Sequence, residues 1–153
     1  MTKSLIKQKG FTLIEVLLVV ALIGILVSIV IIAINPSKNL KDTRDAQRKT
    51  DVNTILNAVY QYALDTNGTV PATIVVSPGQ EICKTAVLPA TCTTDGLTDL
   101  SVVTANEKYI TSVPFDPSTS TTNSTKYTIF KTANNRITVS AVGENAGTIS
   151  ASR

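Results

Sequence analysis

One carboxylate stands out by its surroundings. Glu15 lies inside KGFTLIEVLLVVALIGILVSIVIIAIN, residues 9–35, and is the only ionisable side chain between Phe11 and Ile34. Lys3, Lys7 and Lys9 precede it with no acid among them. An ionised acid in lipid costs about 2.5–3.5 kcal/mol on insertion scales. Glu15 therefore has two readings: it sits at a helix start, where the positive helix pole and water lower that cost, or it awaits a cation from elsewhere. The remaining inventory is sparse. The chain has no His, no Trp and two cysteines, Cys83 and Cys92, which excludes most metal, triad and Cys/His chemistry.

The element that carries Glu15 is long. The 24 residues of 11–34 reach about 36 Å as a helix, against about 30 Å of bilayer hydrocarbon. The lysines ahead of the run place the N-terminus in the cytoplasm and the remainder outside it. A removable secretory signal fits poorly, because the apolar run is too long and Ala33-Ile34-Asn35 is no small-x-small cleavage site. The formal charge of +3 belongs to the N-terminal segment: without Lys3, Lys7 and Lys9, basic and acidic residues balance. Capture of a polyanion by the whole body is thus disfavoured.

Asn35-Pro36 interrupts the apolar pattern, and Pro36 predicts a kink or a short melted stretch there. A second helical pattern follows to Asn67-Gly68, a good stop signal. Its first half carries Lys38 with Asp42, Lys41 with Asp45, and Asp45 with Lys49 at i, i+4, which predicts a solvated charged collar. Lys38, Lys41, Arg44, Arg48 and Lys49 interleave with Asp42, Asp45 and Asp51, which favours salt links between subunits over contacts with phospholipid headgroups or DNA. Its second half has an apolar stripe of Val52, Ile55, Leu56, Val59 and Ala63. From Thr69 onward the composition turns to β and loop chemistry. Segments 127–131, 136–142 and 148–151 read as an antiparallel meander, with Ile137, Val139 and Ala141 on the face that meets the stripe. Segments 71–106 and 114–126 read as irregular. Cys83 and Cys92 enclose eight residues in a part predicted to lie outside the cytoplasm, and an intrachain disulfide is expected.

KGFTLIEVLLVVALIGILVSIV resembles the N-terminus of bacterial type IV prepilins and of the pseudopilins of type II secretion. In that family a basic leader ends in Gly before a Phe, a Glu follows four residues later, and the apolar segment is retained. The resemblance implies cleavage between Gly10 and Phe11 by a prepilin peptidase and N-methylation of Phe11. It implies an α+β, type IV pilin-like fold, a long N-terminal helix with an antiparallel β-sheet packed on its C-terminal half. The divisions would be 1–10 leader, 11–34 transmembrane and filament-core helix, 35–68 amphipathic helix, and 69–153 β-rich head. Phe11 and Glu15 stand at i, i+4, so the amine freed on one subunit could neutralise Glu15 of a neighbour and set axial register. Gly24 and Ser28 form a small-xxx-small pair permitting close helix approach. Pro36 departs from members with a proline nearer mid-span, which leaves open whether the filament core is continuous.

The implied function is a structural pilin: no enzyme, but a subunit polymerised with copies of itself by an inner-membrane assembly platform and its ATPase. It would reside in the inner membrane before assembly and in a surface pilus, or a periplasmic pseudopilus, afterwards. The alternatives are a major pseudopilin of type II secretion, a minor pilin, and a membrane-anchored binding domain that never polymerises. NGTVP at 67–71 and YITSVPFDP at 109–117 are similar to segments of major pseudopilins, which often bind calcium in a C-terminal loop. That resemblance makes Asp116, with Ser118, Thr119 or Asn123, a weak calcium candidate; otherwise no cofactor is expected. Asn67-Gly68-Thr69 and Asn123-Ser124-Thr125 match the glycosylation sequon.

Overall fold

The structure is a computed structural model that describes residues 10–118 and 121–153. The leader lysines and Thr119 fall outside the described residues. The chain divides into two units, Met1–Asn39 and Leu40–Arg153.

In the first unit, helix α1 (Leu13–Ile34) is exposed along its whole length. It is long and apolar enough to cross a membrane. Asn35 closes it in a left-handed conformation, φ 46°, and α2 (Pro36–Asp65) begins at the next residue. The break is one residue wide because both neighbours repair it. Asn35 Oδ1 accepts from the Lys38 amide at 3.2 Å, and the Asn39 side-chain amide donates to the Ile34 carbonyl at 3.0 Å. Pro36 occupies the first helical position, where a missing N–H is harmless.

In the second unit, α2 ends where Asn67 and Gly68 turn left-handed, and the Gly68 amide returns to the Ala63 carbonyl at 2.7 Å. The chain then forms β1 (Gln80–Cys83), the short helices α3 (Pro89–Thr94) and α4 (Ser101–Thr104), and a 3₁₀ turn (Ala105–Glu107). Strands β2 (Ser124–Lys131), β3 (Ile137–Val142) and β4 (Thr148–Ser152) complete an antiparallel sheet in the order β1-β2-β3-β4. The architecture is the expected α+β one: the sheet packs on the C-terminal part of the long helix. Val52, Ile55, Leu56 and Val59 of α2 share one core with Tyr127, Ile129, Ile137, Val139 and Ala141. The registers Ile129↔Val139 and Val139↔Ala151 put these strand residues on one face.

The meander matches the sequence reading, except that β2 starts at Ser124, inside a segment read as irregular; α3 and α4 lie in the other segment so read, and so does β1. It is four residues long, it carries Gln80 and Glu81, and its register against β2 shifts between Glu81 and Cys83. That irregularity removes the period-2 signature by which strands are recognised.

Candidate functional site

The N-terminal motif has a local folding logic of its own. Thr12 is the N-cap of α1, its hydroxyl accepting the Glu15 amide at 3.3 Å. Thr12-Leu13-Ile14-Glu15 thus has the spacing of a capping box, with Glu15 in the first turn, and Phe11 and Val16 hold the N′ and N4 positions of a hydrophobic staple. Phe11 therefore precedes the helix instead of continuing its face, because the Thr12 side chain ends the helix there. Even so, Phe11, Glu15, Val16, Val19 and Val20 border one shallow depression of the surface. Gly10 and Phe11 are exposed, Phe11 by 84 %. Among the described residues the Glu15 carboxylate has no hydrogen-bond or ion-pair partner. Farther along α1, the Ser28 hydroxyl donates to the Ile25 carbonyl at 2.7 Å, and Gly24 faces open space.

The second cluster lies in the head, and the sequence reading missed it. Arg48 is 1 % exposed. Its Nε donates to Asp116 Oδ2 at 2.6 Å, one terminal nitrogen to Asp45 Oδ1 at 2.7 Å, and the other to Asp116 Oδ1 (2.9 Å), Ser118 Oγ (2.6 Å) and Glu144 Oε1 (3.1 Å). Asp45 accepts the backbone amides of Glu144, Asn145 and Ala146 at 2.8–2.9 Å. Gly143 lets that loop come close, since a Cβ there would lie 3.1 Å from Asp45 Oδ1. Arg44 makes a two-pronged pair with Glu144, both bonds at 2.6 Å.

These contacts correct the solvated collar: Asp45 and Arg48 are buried, and Asp45 bonds Arg48 and the β3–β4 loop. The electrostatics follow the geometry. Amides from Asn145 and Glu144, and less so Ala146 and Arg48, hold the Asp45 carboxyl well below the usual carboxylate range against the effect of burial. Burial pushes Asp116 upward, but Arg48 and Ser118 together outweigh it and leave its carboxyl depressed. Arg44 first, then Arg48, depresses Glu144 despite burial. A signal was present in the sequence: Asp45 and Arg48 continue the spacing of Val52, Ile55, Val59 and Ala63, so they occupy the inward stripe of the helix.

Cys83 and Cys92 form a disulfide, S–S 2.05 Å. Among the described residues no three of His, Cys, Asp and Glu come together as a metal site. The sequons differ. Asn67 and Thr69 are exposed, whereas the Asn123 amide donates to Asp95 Oδ2 at 2.6 Å and Thr125 is fully buried, its hydroxyl on the Ile82 carbonyl.

Comparison with protein families matched residues 5–31 to the prokaryotic N-terminal methylation motif. No curated protein and no solved structure matched the chain. The matched span covers the Gly10-Phe11 junction, Glu15 and most of α1. The chain therefore carries the class III signal sequence shared by type IV pilins and pseudopilins, on an apolar helix that fits a membrane-anchored pilin precursor.

Proposed function

We propose that this chain is the structural subunit of a type IV pilus, processed between Gly10 and Phe11 and polymerised into a helical filament. The observation that carries the reading is the methylation motif around a Glu15 whose carboxylate has no partner among the described residues. In the precursor, the positive helix pole makes Glu15 tolerable at the start of the span. Prepilin peptidase would hydrolyse the exposed Gly10-Phe11 bond and methylate the freed Phe11 amine. That cationic amine, on a neighbouring subunit, gives the Glu15 carboxylate a partner, and the pairing fixes how far subunits stagger along the fibre. The apolar faces of α1 then exchange lipid for one another. Ser28 already has its hydroxyl bonded within the helix, so it offers neighbours a small contact with no unmet donor. An inner-membrane platform and its ATPase would drive the step, and the subunit itself hydrolyses nothing.

Replacing Glu15 by Gln removes the charge and keeps the size. Membrane levels and cleavage at Gly10 should stay as in the parent, while filament yield falls about 100-fold, the equilibrium counterpart of an insertion cost near 3 kcal/mol. Normal filament yield from Glu15→Gln cells would remove the pairing from the mechanism. A pseudopilus of a type II secretion system uses the same motif and is the second reading. Fibres on the outer surface of cells at native expression favour the pilus, and fibres seen only on overexpression favour the pseudopilus.

A further inference from the structure

The resemblance of residues 109–117 to pseudopilin segments raised calcium, with Asp116, Ser118, Thr119 and Asn123 as oxygen donors. Among the described residues, Asp116, Ser118 and Asn123 do not suit that ion. Calcium takes six to eight oxygens at about 2.3–2.6 Å. Both Asp116 oxygens and the Ser118 hydroxyl are instead turned to the Arg48 guanidinium at 2.6–2.9 Å. A dication on the same oxygens would stand against a buried cation that the helix cannot withdraw. Asn123 is engaged elsewhere, its side chain on Asp95 and its carbonyl accepting the Lys84 amide at 2.8 Å.

We propose that Arg48 is the resident cation of the head. Its guanidinium joins α2, residues 114–118 and the β3–β4 loop, as a bound metal would, and the head holds its shape with no metal. The guanidinium suits the task because its planar fork presents five N–H groups in fixed directions, and carboxylates match it two oxygens at a time. Two of the carboxylate contacts cross wide gaps in sequence: 68 residues to Asp116 and 96 to Glu144. Asp45 supplies the third carboxylate from the preceding helical turn, and its own second role is to accept three successive amides of the β3–β4 loop. One side chain thereby fixes two loops that share no strand pairing with the helix. The assignment concerns the head alone and holds whether or not the subunit polymerises.

The test uses the full chain in detergent micelles, with near-ultraviolet dichroism of its tyrosines followed against temperature. Parent protein should melt at the same temperature in 1 mM calcium chloride and in excess chelator, within about 1 °C. A rise of more than about 3 °C with calcium would overturn the proposal, since ligand bound to the folded state raises the midpoint by mass action. Arg48→Met keeps a stem of similar length but leaves Asp45, Asp116 and Glu144 around an uncharged group. Its midpoint should fall by about 10 °C or more, the scale of breaking a buried pair in a domain this small. A parent-like midpoint would show that the cation is dispensable and the proposal wrong. Should Arg48→Met not fold, Asp116→Asn preserves shape and removes one charge. A lowered midpoint there supports the proposal and an unchanged one overturns it.

Discussion

Between Asp42 and Asp51, α2 meets the head through carboxylates, guanidinium groups and loop amides; between Val52 and Ala63 the same helix meets it mainly through apolar side chains, with Asn57 and Tyr60 on Arg153 and Tyr62 on Tyr109 at the edge. The apolar half stabilises without direction, each fully buried Val, Leu or Ile contributing about 1.5–3 kcal/mol. The charged half must first remove Arg48, Asp45 and Asp116 from water, and their attraction largely offsets that cost instead of adding a surplus. What it adds is register. A helix shifted by one turn could still bury leucine and valine, but it would leave Arg48 without Asp116 and the β3–β4 amides without Asp45. The difference teaches that adhesion and alignment are separable tasks, assigned here to successive turns of one helix.

The largest effect should come from the apolar half. Ile55 is 2 % exposed within the core, and Ile55→Ala removes buried methyl groups and leaves a cavity, costing about 2–5 kcal/mol. Thermal melts should show the loss at every pH and salt concentration at which the parent is folded. A loss confined to low pH would mean that the two halves are not independent.

Acid should act on the charged half. The ordinary values are 3.8 for Asp and 4.5 for Glu, and Asp45, Asp116 and Glu144 are all held lower in the fold. Groups depressed in this way stabilise the fold above their unfolded values, and that contribution is lost as pH falls through the folded ones. The midpoint should therefore stay level from about pH 7 to about pH 5 and decline below about pH 4. Asp45→Asn should start from a lower midpoint and decline less steeply, because one of the three groups no longer titrates. Ile55→Ala should be displaced downward with the slope of the parent. An Asp45→Asn profile parallel to the parent would remove Asp45 from the acid response.

The apolar half was legible from sequence and the charged half was not, for a physical reason. Val52, Ile55, Leu56, Val59 and Ala63 announce burial by their chemistry, as do Ile137, Val139 and Ala141 in alternation. Asp45 and Arg48 sit at equally inward positions, yet the types of charged residues predict solvent unless their partners are known. Those partners, Asp116 and Glu144, come from loops far along the chain whose approach no local pattern encodes. The N-terminal motif was legible because its meaning is local: Gly10, Phe11 and Glu15 lie within six residues. The place of Glu15 at a helix start was equally local, and the Thr12 cap that accepts its amide gives that start its geometry. The fold class followed from the long helix and the meander, while β1 followed from neither.

Tyr127 joins the two halves and offers the finest probe of their boundary. Its ring is fully buried with Ile129 and Val59, and its hydroxyl donates to Asp51 Oδ2 at 2.7 Å, at the last residue of the charged half. Burial, then Asp51, pushes the phenol above its ordinary 10.0. A raised phenol stabilises the fold fully below the unfolded value and loses that contribution as pH rises toward the folded one. Tyr127→Phe keeps the ring and removes the hydroxyl. Asp51 is only half-buried and can accept water in its place, so the loss should be about 1 kcal/mol at neutral pH. Above about pH 10 the parent should lose stability faster than the variant, and the two melting curves should converge. If the gap instead stayed constant to alkaline pH, the hydroxyl would be contributing through shape and not through its proton. The junction would then belong wholly to the apolar half.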